Sequence, residues 1–227
     1  MTTKSKTSKA VSKRAVGKSS GGGAKKGVRG PTGPGVDTRK RLVDAARKFL
    51  REQGYAATSP RELQEAAGIG QGSFYHHFES KEALMEAALE EVSAEMMAEV
   101  DRAFDRAKPP MQRVRDFLLA PRDHARNGCR LGRLAFDPGM DHPAVAKPVA
   151  AYMAYVEGFL VESLAEARRG GDLPAALDVE AVAEAILAVV QGGFVLSRVH
   201  RDGAALDGAV RGLLGLFDLA APERKKG

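Results

Sequence analysis

The sequence predicts an all-helical protein, and three observations lead to that prediction. Its 227 residues are 44% apolar, only 6% are aromatic, and tryptophan is absent. A core must therefore consist mainly of leucine, valine, alanine and methionine, a mixture that suits helices better than sheets. Apolar residues recur at intervals of three and four, as they do on the buried face of a helix. We find no segment that reads as a strand, and no internal repeat.

Charge is distributed unevenly along the chain. The net charge is +6, but the first 36 residues carry nine basic side chains and no acidic one, which leaves −3 for the remainder. We expect residues 1–35 to form a disordered basic tail, because such a composition cannot bury enough apolar surface to offset chain entropy. Two interpretations of this tail stay open: a dispensable extension, or an arm that binds nucleic-acid phosphates without sequence specificity. The basic residues are Lys4, Lys6, Lys9, Lys13, Arg14, Lys18, Lys25, Lys26 and Arg29.

The compartment can be predicted from cysteine usage and hydropathy. A single cysteine excludes an intramolecular disulfide and fits a reducing cytosol. No run approaches the roughly 18 apolar residues that a membrane span needs. The basic N-terminus lacks the apolar stretch of a secretory signal. We therefore expect a cytoplasmic protein without a membrane partner.

Glycines separate three short helical segments in the N-terminal third of the chain. Ser59 opens the middle helix, with Pro60 at its first position and Glu62 placed to complete a capping box. Gly68 ends this helix after about two turns, and a further helix over residues 72–78 follows at once. Two short helices across a tight glycine turn predict a helix-turn-helix.

The rest of the chain is helical in character as well. Its last two helices are apolar on too many faces to stand alone, so we expect them to pair with a second copy in a four-helix bundle. The further helices are predicted over residues 37–53, 80–107, 111–127 with an interruption at Pro121, 143–169, 178–200 and 206–219.

The helix-turn-helix stretch resembles the N-terminal domain of the TetR family of transcriptional regulators over residues 37–84. The resemblance implies a DNA-binding domain over residues 36–82, a helical ligand-binding and dimerisation domain over residues 83–220, and a short tail over residues 221–227. It implies a homodimeric repressor that a small molecule releases from a palindromic operator. The residues that carry it are Gly54-Tyr55, Thr58-Ser59, Ala66-Ala67-Gly68-Ile69, Gly72-Ser73-Phe74-Tyr75-His76-His77-Phe78 and Ser80-Lys81-Glu82-Ala83-Leu84.

Candidate DNA contacts lie in this stretch. Phe74 and Phe78 are four residues apart and share a face, which makes them core residues. Tyr75 and His76 lie off that face, and the resemblance implies a phosphate contact for Tyr75 and a base or phosphate contact for His76. Gln71 could read adenine with two hydrogen bonds. The candidate set is Ser59, Arg61, Gln71, Ser73, Tyr75, His76 and Lys81.

The entry to the third helix departs from the family pattern. Gly70 stands where a serine or threonine often caps the helix, and Gln71 stands where a lysine often contacts a phosphate. We therefore expect the edge of the DNA footprint to differ from that of relatives.

A second resemblance concerns the C-terminal region. Residues 127–135 and 191–197 are similar to a TetR branch that includes repressors responsive to reactive electrophiles and to acrylate. The similarity implies a ligand pocket near these segments, and we take Cys129, Tyr152 and Phe194 as candidate ligand contacts. The double-stranded operator and a small-molecule effector are then the expected partners, with no cofactor.

Two interpretations of Cys129 stay open. A lone cysteine is usually a small buried apolar residue. Alternatively, Arg130 and Arg133 could depress the pKa of its thiol and produce a reactive thiolate.

Two other classes of function were weighed. An enzyme lacks support, because we find no nucleophile–base pair and no nucleotide-binding motif. The spacing of His124, Cys129, Asp141 and His142 matches no zinc pattern, so we expect no metal. A nucleoid-type protein that binds DNA non-specifically through its basic tail is the alternative to the specific regulator.

Overall fold

The computed structural model describes residues 38–120 and 125–221, with the backbone only of Arg126. The predictions for residues 1–35, for the interruption at Pro121, for His124 and for residues 222–227 lie outside the described residues.

The described residues form helices and no strand, which confirms the predicted all-α fold. Three of the elements are short 3₁₀ helices, named η1 to η3 here. In chain order the elements are α1 (Thr38–Glu52), α2 (Pro60–Ala67), α3 (Gln71–His77), α4 (Lys81–Ala103), α5 (Pro110–Leu119), η1 (Ala125–Asn127), η2 (Gly132–Phe136), η3 (Pro138–Asp141), α6 (Pro143–Arg169), α7 (Val179–His200) and α8 (Ala204–Ala220).

The first three helices close around a small core against the start of α4. Each of these four helices contributes at least one fully buried large side chain, among them Leu42, Leu63, Phe74 and Leu84. Helix α1 packs against both α2 and α4, and α3 packs against α2. Helix α3 therefore has one face toward this core and the other toward solvent.

The cap of α2 forms as predicted. Ser59 Oγ accepts the Glu62 N–H at 3.3 Å, and Glu62 Oε2 accepts the Ser59 N–H at 2.8 Å. Hydrogen bonds from the Ser59 hydroxyl and backbone lower the pKa of the Glu62 carboxyl. At the other end Gly68 adopts the left-handed conformation with φ of 65°, which glycine reaches without the steric cost of a Cβ.

Helix α4 ends at Ala103, four residues before the predicted end. Phe104 is buried in the core, and Asp105 Oδ1 accepts the Ala107 N–H at 3.0 Å. A short polar side chain that bonds the nearby backbone offers an alternative to the next helical turn, and the helix stops there.

Within the described residues, the first part of the helix predicted over residues 111–127 ends just before the interruption predicted at Pro121. Helix α5 ends at Leu119, and the last described segment before Gly128 is the 3₁₀ turn η1. Ala120 is extended, with φ of −52° and ψ of 135°, because a residue that precedes proline is sterically excluded from the helical region.

Helix α6 is the central element of the C-terminal part and packs against α4, α5 and α7. The buried Arg113 of α5 pairs with Glu166 of α6 at 2.9 Å and also donates to the carbonyls of Lys108 and Arg106. These contacts satisfy a buried guanidinium that would otherwise be costly, and they fix α5 on α6.

Helices α6 and α7 are long and apolar enough, by length and composition alone, to cross a membrane. The prediction that no segment approaches such a length is therefore wrong for these two helices. Core helices of a folded protein can be equally long and apolar. In the most apolar 18-residue stretch, 39% of α6 and 28% of α7 is buried within the protein.

Helices α7 and α8 form an antiparallel pair through a close approach at Gly193. A Cβ at this position would lie 2.7 Å from Leu206 Cδ1 and 3.0 Å from Leu206 Cα. The fully buried Ser197 hydroxyl accepts the Leu206 N–H at 3.1 Å. The two helices therefore pack backbone to backbone where α8 begins.

Candidate DNA-binding surface and internal cavity

The two faces of α3 differ in the way that its sequence predicts. Phe74 and Phe78 are buried in the core, whereas Tyr75 is 50% exposed. The Tyr75 ring packs edge-on against Phe74 with 5.1 Å between centroids. This contact holds the Tyr75 ring in place while its surface stays open to a partner.

Other candidate contacts surround Tyr75 on the solvent side of α3. Gln71 and His76 are exposed and Ser73 is half-buried. Gly70 caps α3 without any side-chain hydrogen bond, as its lack of a side chain requires. Gln71 is therefore the first residue of α3 with a side chain that can extend toward a base edge.

The two candidates on α2 are already engaged within the protein. The Ser59 hydroxyl donates to Glu62 Oε2 at 2.7 Å, so its only proton is used within the cap and Ser59 supports the surface by holding α2. Arg61 pairs with Glu65 at 2.9 Å, with both side chains mostly exposed. Exposed pairs of this spacing contribute little to stability, so a phosphate can readily replace Glu65.

Lys81 lies at the start of α4, beside the ring of Tyr55. Its Nζ is 4.0 Å from the centroid of that ring, and burial lowers the pKa of Lys81. Burial and a hydrogen bond to Glu82 raise the pKa of Tyr55 to about 12. Lys81 therefore places a positive charge at a helix N-terminus, where an anion is favoured.

A cavity of about 620 Å³ lies among the helices of the C-terminal part. Its lining is mainly apolar, and its charged residues are largely paired with one another: Lys108 with Asp116 at 2.6 Å, and Arg130 with Glu99 at 2.6 Å. The lining residues are Met96, Glu99, Val100, Arg102, Ala103, Lys108, Asp116, Phe117, Ala120, Gly128, Cys129, Arg130, Tyr152, Val156, Leu187, Val190, Gln191 and Phe194.

The structure places all three candidate ligand residues, Cys129, Tyr152 and Phe194, in the lining of this cavity. Cys129 and Tyr152 are buried and Phe194 is half-buried. Cys129 lies in the loop between η1 and η2, Tyr152 on α6 and Phe194 on α7, so the fold brings side chains that are distant in sequence to one cavity. The cavity suits a small, largely apolar molecule.

The surroundings of Cys129 differ from those predicted. Arg130 pairs with Glu95 and Glu99, and Arg133 donates to the carbonyl of Arg51. Neither guanidinium is thus directed to the thiol, and the prediction that they activate it is not supported by this geometry. The Gly132 N–H instead donates to Cys129 Sγ at 3.3 Å.

No group of three or more metal-ligating side chains occurs within the described ranges. His142 Nδ1 accepts the Ala144 N–H at 3.2 Å, so this side chain serves as the cap of α6.

Sequence reasoning did not identify Asp137. Its carboxylate accepts the N–H groups of Tyr55 and Ala56 from 82 and 81 residues away. No local pattern signals such a contact, because both partners are backbone groups.

The fold and this surface define a helix-turn-helix DNA-binding protein with a separate helical ligand cavity. Comparison with known proteins identifies the particular family. The model of bacterial regulatory proteins of the tetR family matches residues 42–88, and that of the tetracyclin repressor-like C-terminal domain matches residues 103–213.

Individual relatives agree with this match. The transcriptional regulator AcuR of Cereibacter sphaeroides is 30% identical over 70% of this chain and 75% of its own length. The repressor DhaR of Mycobacterium sp. strain GP1 is 24% identical over 74% of this chain and 86% of its own length. The crystal structure of the regulatory protein TetR from Rhodobacter sphaeroides superposes with a TM-score of 0.66 at 25% identity, covering 78% of this chain and 96% of that one.

The chain therefore belongs to the TetR family and is a DNA-binding transcriptional regulator. The relatives are regulators as well, which gives no support to the nucleoid-type alternative.

Proposed function

We propose that this protein is a dimeric, ligand-responsive repressor that binds a palindromic operator in the cytoplasm and leaves it when a small molecule occupies the cavity. The observation that carries the proposal is the division of α3 into a buried aromatic face and an exposed face with Tyr75 and His76. An exposed tyrosine fixed on a short helix suits the major groove and its phosphates.

Residues 36–82 bind DNA in this proposal, and residues 83–220 bind the effector and dimerise. Gln71 and His76 contact base edges, while Arg61, Ser73, Tyr75 and Lys81 contact the backbone. No catalysis is required of any residue.

Exposed stripes on α7 and α8 support the dimer. On each helix, exposed apolar or glycine residues recur at i, i+3, i+4 and i+7, which places them along one line. Val199 is 71% exposed, Leu216 64% and Leu219 85%, a costly arrangement unless a second subunit covers them. The stripes are Gly192, Val195, Leu196 and Val199 on α7, and Gly212, Gly215, Leu216 and Leu219 on α8.

The effector is an apolar molecule, and the position of Cys129 supports a carbon electrophile in particular. The thiol adds to an activated C=C bond: a C–S bond forms, the π bond breaks, and the thiol proton ends on the neighbouring carbon. An effector that has no thiol-reactive group would still bind non-covalently to the apolar lining of the cavity. Occupancy releases DNA to the extent that the effector prefers the non-binding conformation.

Selection from a random pool of double-stranded DNA tests this function. Wild-type protein is expected to enrich one palindrome, and Tyr75→Phe is expected to bind it about 10–150-fold more weakly, because one hydrogen bond to a charged phosphate contributes about 1.5–3 kcal/mol. Tyr75→Ala removes the ring as well and should abolish binding while the thermal melt stays that of a folded protein. Enrichment of no common sequence, or normal binding by Tyr75→Ala, would refute the assignment.

A further inference from the structure

Asp137 joins the C-terminal part of the protein to the connection between α1 and α2. Asp137 Oδ2 accepts the Tyr55 N–H at 2.8 Å, and Oδ1 accepts the Ala56 N–H at 3.1 Å. The same Oδ1 also accepts the Gly139 N–H at 2.7 Å. One carboxylate thus binds three backbone donors, two of which belong to the helix-turn-helix region.

Glycines on both sides make this approach possible. A Cβ on Gly54 would lie 2.2 Å from Asp137 Oδ2, and a Cβ on Gly139 would lie 2.2 Å from Tyr55 Cδ1. Gly54 also has a φ of 88°, a conformation that other residues rarely adopt. The two chain segments therefore touch at a distance that no other residue type would permit at either position.

A second contact lies beside the first. Arg133 of η2 donates to the carbonyl of Arg51 in the last turn of α1, where a cation is favoured by the helix dipole. Segment 133–139 therefore holds both the C-terminal end of α1 and the residues that follow it.

The contact extends to the proposed DNA surface through Tyr55. Its hydroxyl donates to Glu82 Oε1 at 3.0 Å, and its ring faces Lys81 Nζ at 4.0 Å. Asp137 therefore fixes the residue that positions the first turn of α4.

The residues just before segment 133–139 lie at the cavity. Cys129 lines the cavity, and the Gly132 N–H donates to its sulfur. A Cβ on Gly132 would lie 2.2 Å from Oε1 of the cavity residue Gln191. Only seven residues thus lie between Cys129 in the cavity lining and Asp137, whose carboxylate holds the helix-turn-helix.

We propose that Asp137 is a positioning residue that holds the helix-turn-helix in one orientation on the rest of the subunit. In a dimer it thereby sets the distance between the two copies of α3, and with it the spacing between operator half-sites that the protein accepts. This inference rests on the proposed dimeric function. Operator spacing is then determined by a contact that touches no DNA.

The physical reason is the effective concentration of the second binding domain. When both domains are held at the correct distance, the second half-site binds at little extra cost, and this advantage falls if the domains adopt many orientations. Removing the Asp137 contact leaves each α3 unchanged, so binding to one isolated half-site should not change.

The test compares wild-type protein, Asp137→Ala, Asp137→Asn and the control Asp141→Ala on operators whose half-site spacing varies. Asp141 is exposed at the end of η3, so its variant removes a nearby carboxylate without touching Tyr55. Wild type and Asp141→Ala should prefer one spacing, whereas Asp137→Ala should bind that operator about tenfold more weakly and lose the preference. Asp137→Asn keeps one acceptor oxygen and should fall between them.

Several outcomes would overturn the inference. If Asp137→Ala keeps the wild-type preference for one half-site spacing, Asp137 does not position the helix-turn-helix. If Asp137→Ala loses the same affinity for an isolated half-site as for operators of every spacing, the DNA-binding domain is merely destabilised. Asp137→Asn provides the same comparison if Asp137→Ala fails to fold. If wild-type protein itself shows no preferred spacing, the dimeric regulator is wrong, and the inference falls with it.

Discussion

At the scale of single residues, the proposed phosphate contact of Lys81 predicts that DNA binding depends on pH. Its Nζ is partly buried against the Tyr55 ring, and burial lowers its pKa. A DNA phosphate binds only the protonated form and therefore raises that pKa again, so binding takes up a proton once the pH exceeds the pKa of the free protein. Operator affinity should thus decline with rising pH before an ordinary lysine would titrate.

Lys81→Arg is the variant that isolates this effect, because arginine stays charged throughout the range. We expect the affinity of Lys81→Arg to be nearly constant between about pH 7 and 10 relative to that of wild type. Fluorescence anisotropy with a labelled operator at constant ionic strength measures both curves. Parallel curves for the two proteins would exclude Lys81 as a phosphate contact.

The proposed carbon electrophile predicts a covalent response at Cys129. N-ethylmaleimide carries an activated C=C bond of the proposed class, and the chain has one cysteine, so one adduct per chain is expected by mass spectrometry. The reaction should be slow because the thiol is only 6% exposed. Modified wild-type protein should leave the operator, while Cys129→Ser should bind normally and ignore the reagent. If N-ethylmaleimide releases Cys129→Ser from the operator as it releases wild type, Cys129 is not the sensor.

At the scale of elements, the approach of α7 to α8 depends on Gly193. The Cβ of Gly193→Ala would meet both the side chain and the backbone of Leu206, and backbone cannot move as easily as the end of a flexible side chain. Overpacking of this kind costs about 1–3 kcal/mol, which urea unfolding should detect as a lower free energy of unfolding.

Gly158→Ala is the matched control. It lies inside α6, and a Cβ there would have no neighbour within 4 Å. The higher helix propensity of alanine should raise the free energy of unfolding by about 0.5–1 kcal/mol. If both variants change stability in the same direction, Gly193 is not a packing residue.

A helix end could be predicted accurately where residues close to it in the sequence mark it. The bounds of α6 and α7 are as predicted because proline, Asp178 and Gly170 mark them within one turn. The end of α4 was predicted four residues too late, since Asp105 bonds to its own neighbours. Helix α5 ends just before the predicted interruption at Pro121, because Ala120 is restrained by the proline after it. Such effects compete with an apolar periodicity that continues past the true end.

The candidate sites divide in the same way. The inward and outward faces of α3 could be predicted from four-residue spacing, and Cys129, Tyr152 and Phe194 followed from a resemblance rather than from any local pattern. The contact of Asp137 with Tyr55 could not be predicted, because it joins a side chain to a backbone group 82 residues away. The partners of Arg130 and Arg133 are likewise set by packing.

At the scale of the whole molecule, the exposed stripes of α7 and α8 predict that subunit association and DNA binding are linked. Leu216→Glu places a charge in the middle of the α8 stripe, and burying an unpaired charge is unfavourable. Analytical ultracentrifugation should then show a monomer. Affinity for the full operator should fall about a hundredfold or more, with no change for an isolated half-site.

Ala154→Glu adds the same charge at an exposed position of α6 and should leave both the dimer and operator binding intact. A dimeric Leu216→Glu would show that the subunits meet through another surface.

Those stripes also have a consequence for how gene expression depends on the amount of the protein. If one operator takes two subunits, its occupancy rises with the square of the subunit concentration wherever subunits are mostly unpaired. A twofold fall in subunit concentration, as when a cell doubles its volume without new synthesis, would then lower occupancy about fourfold in that regime. The proposed pairing of subunits through α7 and α8 would thus make transcription respond steeply to the concentration of the protein, independently of any effector.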